Sequence, residues 1–215
     1  MLGVQLPIPA TDQEGSLEAV IARRRTVRDF DGRPISLPAA SRLLWAAQGV
    51  TGERSGSQLR AAPSAGGLHP LLVTLIAGDV EELEPGGYLY HAAAHSLSDV
   101  ARGDLRPVLE EVAIGEQPWL RRAAMVILVT GDRTAAANAY PDQPPDGSGS
   151  PRGVRYLHNE VGCVAQNVHL MATAMGLGAV FVGGFHDDAL VTRLPTLLPT
   201  DHTPLALIPV GWPAG

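Results

Sequence analysis

The sequence predicts an α+β fold in which helices flank a central, mostly antiparallel sheet. Three observations lead to this prediction: apolar runs of strand length, a long amphipathic helix pattern, and a mixture of hairpin and long connections. The chain has 215 residues, of which 45% are hydrophobic and 18% are charged, and this composition excludes extensive disorder. We therefore expect a single domain over residues 1–215.

Two short helices are predicted near the start of the chain. Residues 17–25 have an apolar stripe at helical spacing and follow Ser16, a good N-cap residue. Residues 39–48 have the same pattern between Pro38 and Gly49, which favour the start and the end of a helix.

Five apolar segments predict strands. Residues 71–77 form a continuous apolar run, and residues 88–90, which follow two glycines, are expected to be its antiparallel neighbour. Residues 124–130 are the most apolar segment, so we expect them in the middle of the sheet. The remaining buried strands are predicted at residues 179–182 and 205–210.

Three further segments complete the prediction. Residues 98–115 have a helical pattern in pieces, interrupted at Pro107. Residues 154–175 predict a long helix with a narrow apolar stripe, which could pack on its own sheet or close a dimer. Residues 138–153 are polar and rich in Pro and Gly, which predicts a flexible loop or a lid.

Charge and cysteine content narrow the classes of function. The 16 Lys and Arg residues against 22 Asp and Glu residues give a net charge of −6, which argues against general nucleic-acid binding. A single cysteine excludes an internal disulfide framework and is typical of a reducing compartment. No apolar run has the length of a membrane span, and no set of metal ligands is evident. We expect a cytoplasmic protein without membrane, metal or nucleic-acid partners.

Three motifs point to a cofactor. The arginine cluster at residues 24–28 can hold a phosphate, because guanidinium groups match phosphate oxygens in pairs. The small residues of the glycine-rich loop, residues 63–70, let backbone approach a flat ligand. The long helix leads into a strand that ends at Gly183 and Gly184. Each motif alone also fits a solvated helix end or an ordinary loop, but together they predict an anionic, planar cofactor.

In this order and spacing the motifs resemble those of the FMN-dependent nitroreductase family over nearly the whole chain. The spelling Pro-Ser-Ala-Gly-Gly-Leu-His-Pro from Pro63, together with the pair Arg155-Tyr156, is similar to the SagB-type dehydrogenase branch, which includes azoline oxidases of modified-peptide biosynthesis. The resemblance implies a nitroreductase-like sandwich and a homodimer with two FMN sites at the subunit interface.

The family pattern implies roles for the arginine cluster. Arg24 and Thr26 would bind the FMN phosphate, and Arg25 would reach the phosphate or the ribityl chain. Arg28 would face the pyrimidine edge of the flavin, where a fixed cation stabilises the negative charge of the reduced form.

The same pattern implies two groups of residues around the flavin ring. One group would line the ring from the second subunit and comprises Pro63, Ser64, Ala65, Gly66 and His69. The other is a turn formed by Val182, Gly183 and Gly184, whose backbone N–H would meet flavin N5.

The chain departs from the family pattern at two places. No cation follows the last strand, so phosphate binding would depend on the N-terminal arginines. Arg155-Tyr156 stands where azoline-oxidising relatives have a Lys-Tyr pair for proton removal, and arginine cannot act as a general base. We therefore expect Arg155 to bind an anionic substrate or to orient Tyr156 at the catalytic site.

The resemblance implies an FMN-dependent oxidoreductase that works in two half-reactions through flavin N5. NAD(P)H would be the reductant, and a nitroaromatic, a quinone or a similar small molecule the acceptor. Two alternatives stay open: a SagB-type dehydrogenase that oxidises a peptide-derived azoline or a related C–N bond, and a protein that stores FMN without turnover.

Overall fold

The computed structural model describes residues 15–215, which begin with two capped helices. Helix α1 (Leu17–Arg23) starts at Ser16, whose Oγ accepts a hydrogen bond from the Ala19 N–H at 3.1 Å, as predicted. Helix α1 ends two residues earlier than expected, because Arg24 leaves the helical conformation at φ −53° and ψ 124°. Helix α2 (Leu37–Gln48) ends at Gly49 as predicted.

A small hairpin follows α2 and was not predicted. Its strands β1 (Val50–Arg54) and β2 (Ser57–Arg60) pair with each other, away from the main sheet. Most of the hairpin is exposed, so its sequence lacks the apolar alternation of a half-buried strand.

The central sheet consists of six strands, namely β3 (Leu71–Ala77), β4 (Gly86–His91), β5 (Ser96–Arg102), β6 (Met125–Asp132), β7 (Gly178–Ala179) and β8 (His202–Gly211). Their order across the sheet is β5-β4-β3-β6-β8-β7, and every paired neighbour is antiparallel. Residue Ile127 of the central strand lies opposite Leu75 on one side and Ile208 on the other, and all three side chains are fully buried. The predicted mostly antiparallel sheet is confirmed.

Helices cover both faces of this sheet, and each face has its own core. On one face, Leu43 of α2 packs in the same cluster as Val164 of the long helix α6 (Arg152–Ala174). On the other face lie α3 (Arg106–Val112), α4 (Trp119–Arg122) and α7 (Asp187–Arg193), while α5 (Arg133–Asn138) precedes α6. In the part of the chain that the structure describes, no helix combines the length and apolarity needed to cross a membrane.

Two predicted elements are wrong in detail. The first part of residues 98–115 belongs to the edge strand β5, and Pro107 lies in the first turn of α3, where proline is well tolerated, rather than interrupting a helix. The strand expected at residues 179–182 is only the short β7 followed by one isolated bridge between Val182 and Leu207. Phe181 breaks the buried run, since its side chain is 45% exposed.

Candidate active site

The arginine cluster leaves α1 as an extended segment that lies beside β7. Thr26 forms a parallel bridge with Ala179, and the Val27 N–H donates to the Ala179 carbonyl at 3.0 Å. A Cβ atom on Gly178 would come within 2.5 Å of the Val27 side chain, so this close approach requires glycine. The segment that carries the arginines is thereby fixed next to the segment that carries Gly183 and Gly184.

Arg24 and Thr26 line a cavity of about 350 Å³ between this segment and α6. His169 is the buried polar residue of the cavity, and burial, with a smaller contribution from Arg24, lowers the pKa of its imidazole, so the ring is neutral at neutral pH. Guanidinium, hydroxyl, amide and imidazole groups together form a donor set suited to a phosphate. The other lining residues are Gly162, Ala165, Gln166 and Phe181.

Arg25 does not line this cavity. Its guanidinium donates to the backbone carbonyls of Ala22 and Arg24, both at 2.8 Å, and therefore satisfies the free carbonyls at the end of α1. The structure thus brings together Arg24 and Thr26 of the predicted phosphate residues, while Arg25 acts on the helix end.

Arg28 lies over the ring of Trp119, with its guanidinium carbon 5.5 Å from the ring centroid. Trp119 begins α4, and its indole N–H is buried with no acceptor among residues 15–215. A cation–π contact of this kind restricts an otherwise exposed arginine to one region of the surface.

The turn at Gly183 and Gly184 is held in place by hydrogen bonds to the Gly184 carbonyl. The Gly184 carbonyl accepts two hydrogen bonds, from the Ile114 N–H and from Gln117 Nε2, both at 2.9 Å. Val182 is held in the bridge to Leu207, and a Cβ atom on Gly183 would meet the Phe181 ring at 3.3 Å. Sequence analysis did not identify Gln117, because its contact depends on a residue 67 positions away.

The glycine-rich loop lies in a different cleft of the same chain. Ser64 Oγ accepts a hydrogen bond from the His69 N–H at 2.8 Å, and Gly66 adopts φ +58° within the short 3₁₀ turn Ala65–Gly67. Burial, followed by the charge of Arg60, lowers the pKa of the His69 imidazole. Within residues 15–215, the loop does not line the cavity that contains Arg24 and Thr26. The lining of its own cleft includes Ser64, Ala65, Tyr140, Tyr156 and Glu160.

Comparison with known proteins identifies the family. The model of the nitroreductase family matches residues 21–212. The chain belongs to the nitroreductase family. Over 208 residues it is 36% identical to a protein of Methanocaldococcus jannaschii provisionally named a nitroreductase, and the match covers 97% of this chain and 95% of that protein. The family resemblance of the sequence motifs is confirmed, and the chain is an oxidoreductase of a family whose members bind a flavin, usually FMN.

Solved structures give the same family fold. A nitroreductase-like protein of Ralstonia eutropha superposes with a TM-score of 0.74 at 26% identity, covering 98% of this chain and 89% of that chain. A second one, from Anabaena variabilis, has a TM-score of 0.74 at 25% identity; the match covers 92% of this chain but only 38% of that longer chain. The Escherichia coli microcin synthetase complex McbBCD, solved with truncated pro-MccB17 bound, contains a chain with a TM-score of 0.74 at 20% identity, covering 100% of this chain and 76% of that one; this similarity concerns the fold.

In this nitroreductase, a buried polar network lies beneath the glycine-rich loop. Gln48 Nε2 donates to Glu160 Oε1 at 3.3 Å, and Arg60 Nη1 donates to Gln48 Oε1 at 3.3 Å. Glu160 is only 3% exposed, and burial raises the pKa of its carboxyl despite opposing hydrogen bonds from Ser64 and Gln48. The network ties α6, α2 and the hairpin to the loop, and sequence analysis missed it because its members are far apart in the chain.

Arg155 and Tyr156, the expected catalytic pair, connect the start of α6 to the preceding loop. Tyr156 Oη donates to Gln143 Oε1 at 2.7 Å, and Arg155 lies 3.4 Å from the Asp146 carboxylate. Side-chain and backbone hydrogen bonds from Ser148, joined by Ser150 and Arg155, lower the pKa of Asp146 to about 2. The pair therefore organises residues 139–151 in this structure.

Proposed function

We propose that this nitroreductase binds FMN with the phosphate at Arg24 and Thr26 and the redox end of the flavin at the turn Gly183-Gly184. The observation that carries the proposal is the bridge between Thr26 and Ala179, which sets the arginine segment beside the segment that leads to the glycine turn. These two neighbouring backbone segments can therefore contact the two ends of one elongated, anionic ligand.

The residues of the cavity fit a phosphate group. Arg24 supplies a permanent charge, Thr26 a hydroxyl, and the neutral His169 and the exposed Gln166 supply further donors. We propose that His169 and Gln166 donate hydrogen bonds to the phosphate beside Arg24. Residues 212–215 contain no cation and pack on the segment after the arginines, where Trp212 Nε1 donates to the Pro34 carbonyl at 3.1 Å.

The residues at the other end fit a flat redox ring. Gly183 is exposed and has no side chain, which allows backbone to approach a ring closely. Arg28, held over Trp119, provides the fixed cation that favours the reduced, negatively charged pyrimidine edge. When bound, FMN would accept hydride at N5 from one substrate and return it to a second substrate.

We propose that the complete site needs two copies of the chain. The loop residues Ser64 and Ala65 line a different cleft from Arg24, so a second subunit would supply the loop to the flavin. An apolar cavity of about 450 Å³, lined by residues that include Leu17, Trp45 and Met171, supports such an interface. Leu17 is 60% exposed and Trp45 is 41% exposed in the single chain.

We propose NAD(P)H as the reductant and a nitroaromatic, quinone or similar small molecule as the acceptor. The SagB-type alternative, oxidation of a peptide-derived azoline, has the fold similarity to a chain of McbBCD in its favour. Two contacts weigh against it: Arg155 is paired with Asp146, and Tyr156 donates to Gln143, so neither is poised to remove a proton.

The proposal is tested by adding FMN to purified apoprotein and recording absorbance and flavin fluorescence. We expect one FMN per chain and a dimer by light scattering, and anaerobic NADPH or NADH should bleach the flavin. Arg24→Ala should weaken FMN binding about tenfold to a hundredfold, because a charge-assisted contact is lost. The exposed neighbour Arg23, changed to Ala, is the matched control.

An apoprotein that takes up no FMN would overturn the proposal. Stoichiometric FMN that neither nicotinamide bleaches would favour the SagB-type alternative.

A further inference from the structure

One short segment, residues 114–119, contacts both parts of the proposed redox end. The segment connects α3 to α4, and its Ile114 N–H donates to the Gly184 carbonyl at 2.9 Å. Ala113, just before it, forms an antiparallel bridge with Phe185, and the His186 N–H donates to the Val112 carbonyl at 2.8 Å. These backbone contacts fix the position of the 114–119 segment relative to the turn.

Gln117 joins the segment to the turn through its side chain. Its Nε2 donates to the Gly184 carbonyl and to the Ile114 carbonyl, both at 2.9 Å. The amide thus bridges two backbone segments, and with the Ile114 N–H it holds the Gly184 carbonyl, and with it the Gly184–Phe185 peptide, in one orientation. A glycine pair has wide conformational freedom, so a contact of this kind at its last carbonyl limits the conformations open to the turn.

Trp119, two residues after Gln117, contacts the Arg28 guanidinium through its ring. Its ring lies under Arg28 at 5.5 Å, and the Arg28 side chain is otherwise exposed. Arg28 forms no ion pair among residues 15–215, and the carboxylate of its neighbour Asp29 lies 3.9 Å from Arg122 instead. The ring is therefore the principal contact that decides where the guanidinium lies.

We propose that Gln117 and Trp119 are positioning residues for the redox end of the flavin: Gln117 orients the Gly183-Gly184 turn, and Trp119 places Arg28. This inference rests on the proposed function. It assigns to one segment the placement of the turn that would meet flavin N5 and of the cation that favours reduced over oxidised FMN.

The role of Gln117 is tested by the variant Gln117→Ala. FMN binding to the apoprotein should weaken about threefold to tenfold, since one hydrogen bond to Gly184 is lost while the Ile114 N–H remains. Glu116→Ala is the matched control: Glu116 is an exposed neighbour in the same segment and should leave FMN affinity unchanged. Equal affinities for wild type and Gln117→Ala would overturn this half of the inference.

The role of Trp119 is tested by the midpoint potential of bound FMN. The shift from the potential of free FMN gives the ratio of the affinities for reduced and oxidised flavin. Trp119→Leu should reduce that ratio about twofold to fivefold, because Arg28 loses its ring contact, and Trp119→Phe, which keeps an aromatic face, should restore most of it. A purely structural role would lower thermal stability without changing the potential, and that result would overturn the inference for Trp119.

FMN binding by the wild-type protein separates a failure of the proposed function from a failure of the positioning role. If the wild-type protein binds no FMN, the proposed function itself is wrong. If the wild type binds FMN but the Gln117 and Trp119 variants match it in affinity and potential, only the positioning role is wrong.

Discussion

At the scale of single residues, Arg106 is a buried cation outside the candidate site whose guanidinium has several hydrogen-bond partners. It is 8% exposed, and its guanidinium donates to Asp79 at 2.6 Å, to both Asp104 oxygens at 2.9 Å and to the Ala123 carbonyl at 2.8 Å. Burial raises the pKa of Asp104, but hydrogen bonds and charge from Arg106 outweigh that effect and leave it below the ordinary value. Such a buried cation contributes to stability chiefly because its removal would leave its carboxylate and carbonyl partners unpaired.

We predict that Arg106→Met lowers the free energy of unfolding by about 2–4 kcal/mol at neutral pH, because two carboxylates lose their partner. The folded-state pKa of Asp104 is depressed, so this contribution is present above the ordinary value of 3.8 and is lost as pH falls through the folded value. Urea unfolding from neutral to acid pH should show the gap to wild type narrowing below pH 3.8.

The exposed Arg102 provides the control for this experiment. Its guanidinium lies 3.5 Å from Asp99 at the surface, so Arg102→Met should cost less than about 0.5 kcal/mol. A gap for Arg106→Met that is constant down to the lowest pH would contradict the role assigned to the Asp104 pair.

At the scale of elements, helix α6 contains two glycines in opposite surroundings. Gly153 is buried, and a Cβ atom there would lie 1.8 Å from the Ala136 carbonyl oxygen of α5. Gly162 is exposed, with nothing within 4 Å of such an atom. The first glycine permits two helices to touch, whereas a Cβ at the second position would meet no neighbour, and glycine there lowers helix propensity.

We therefore predict opposite effects of two alanine substitutions on the apoprotein. Gly153→Ala should destabilise it by about 2–3 kcal/mol or more, since α5 has to move away. Gly162→Ala should stabilise it by about 0.5–1 kcal/mol through helix propensity. Thermal unfolding of both variants measures the direction of each change in stability. A Gly153→Ala variant as stable as the wild type would refute the close contact.

The loop at residues 139–151 is held together by hydrogen bonds to one carboxylate. Asp146 accepts hydrogen bonds from the Ser148 N–H and Oγ and from the Ser150 N–H, so it is the main organiser of this loop. Asp146→Ala should make the loop more sensitive to limited proteolysis, while Asp142→Ala, an exposed residue in the same loop, should not. Identical digestion rates for wild type and Asp146→Ala would show that other contacts hold the loop.

How much of these elements could be predicted depends on burial. Residues 71–77 and 124–130 were predicted because buried strands have continuous apolar runs. The hairpin of β1 and β2 was missed because it is exposed, although Ser55-Gly56, with φ of +53° and +78°, is a two-residue turn that its sequence could have suggested.

The candidate site was only partly predictable from sequence. Its motifs gave Arg24, Thr26 and the glycine turn, because local sequence carries them. Gln117 could not be found in this way, since its contact with Gly184 spans 67 positions, and Glu160 contacts Gln48 across 112 positions. Contacts of that kind are set by the packing of distant elements, which no local pattern contains.

At the scale of the whole molecule, the proposed dimer makes a prediction of its own. Ile21, on α1, is 52% exposed on a helix that borders the apolar cavity, and Ile21→Asp should place a charge in the proposed interface. We expect this variant to be largely monomeric by light scattering and to bind FMN at least about tenfold more weakly, because each site would lose the second subunit's loop.

Val191→Asp is the matched control for the dimer. Val191 is also an exposed aliphatic residue, at 40%, but it lies on α7, on the other face of the sheet. A dimer that survives Ile21→Asp with full FMN binding would place the interface elsewhere.

The length of α6 has a consequence for how relatives of this protein can vary. Residues of this one helix line three places: Glu160 lines the cleft of the glycine-rich loop, His169 lines the phosphate cavity, and Met171 lines the apolar cavity. One residue inserted between Glu160 and His169 would rotate the rest of the helix by about 100° and advance it by about 1.5 Å. This rotation would turn His169 away from Arg24. Insertions and deletions should therefore accumulate in the flanking connections, and the number of residues between Glu160 and His169 should stay constant among homologues that retain the cofactor.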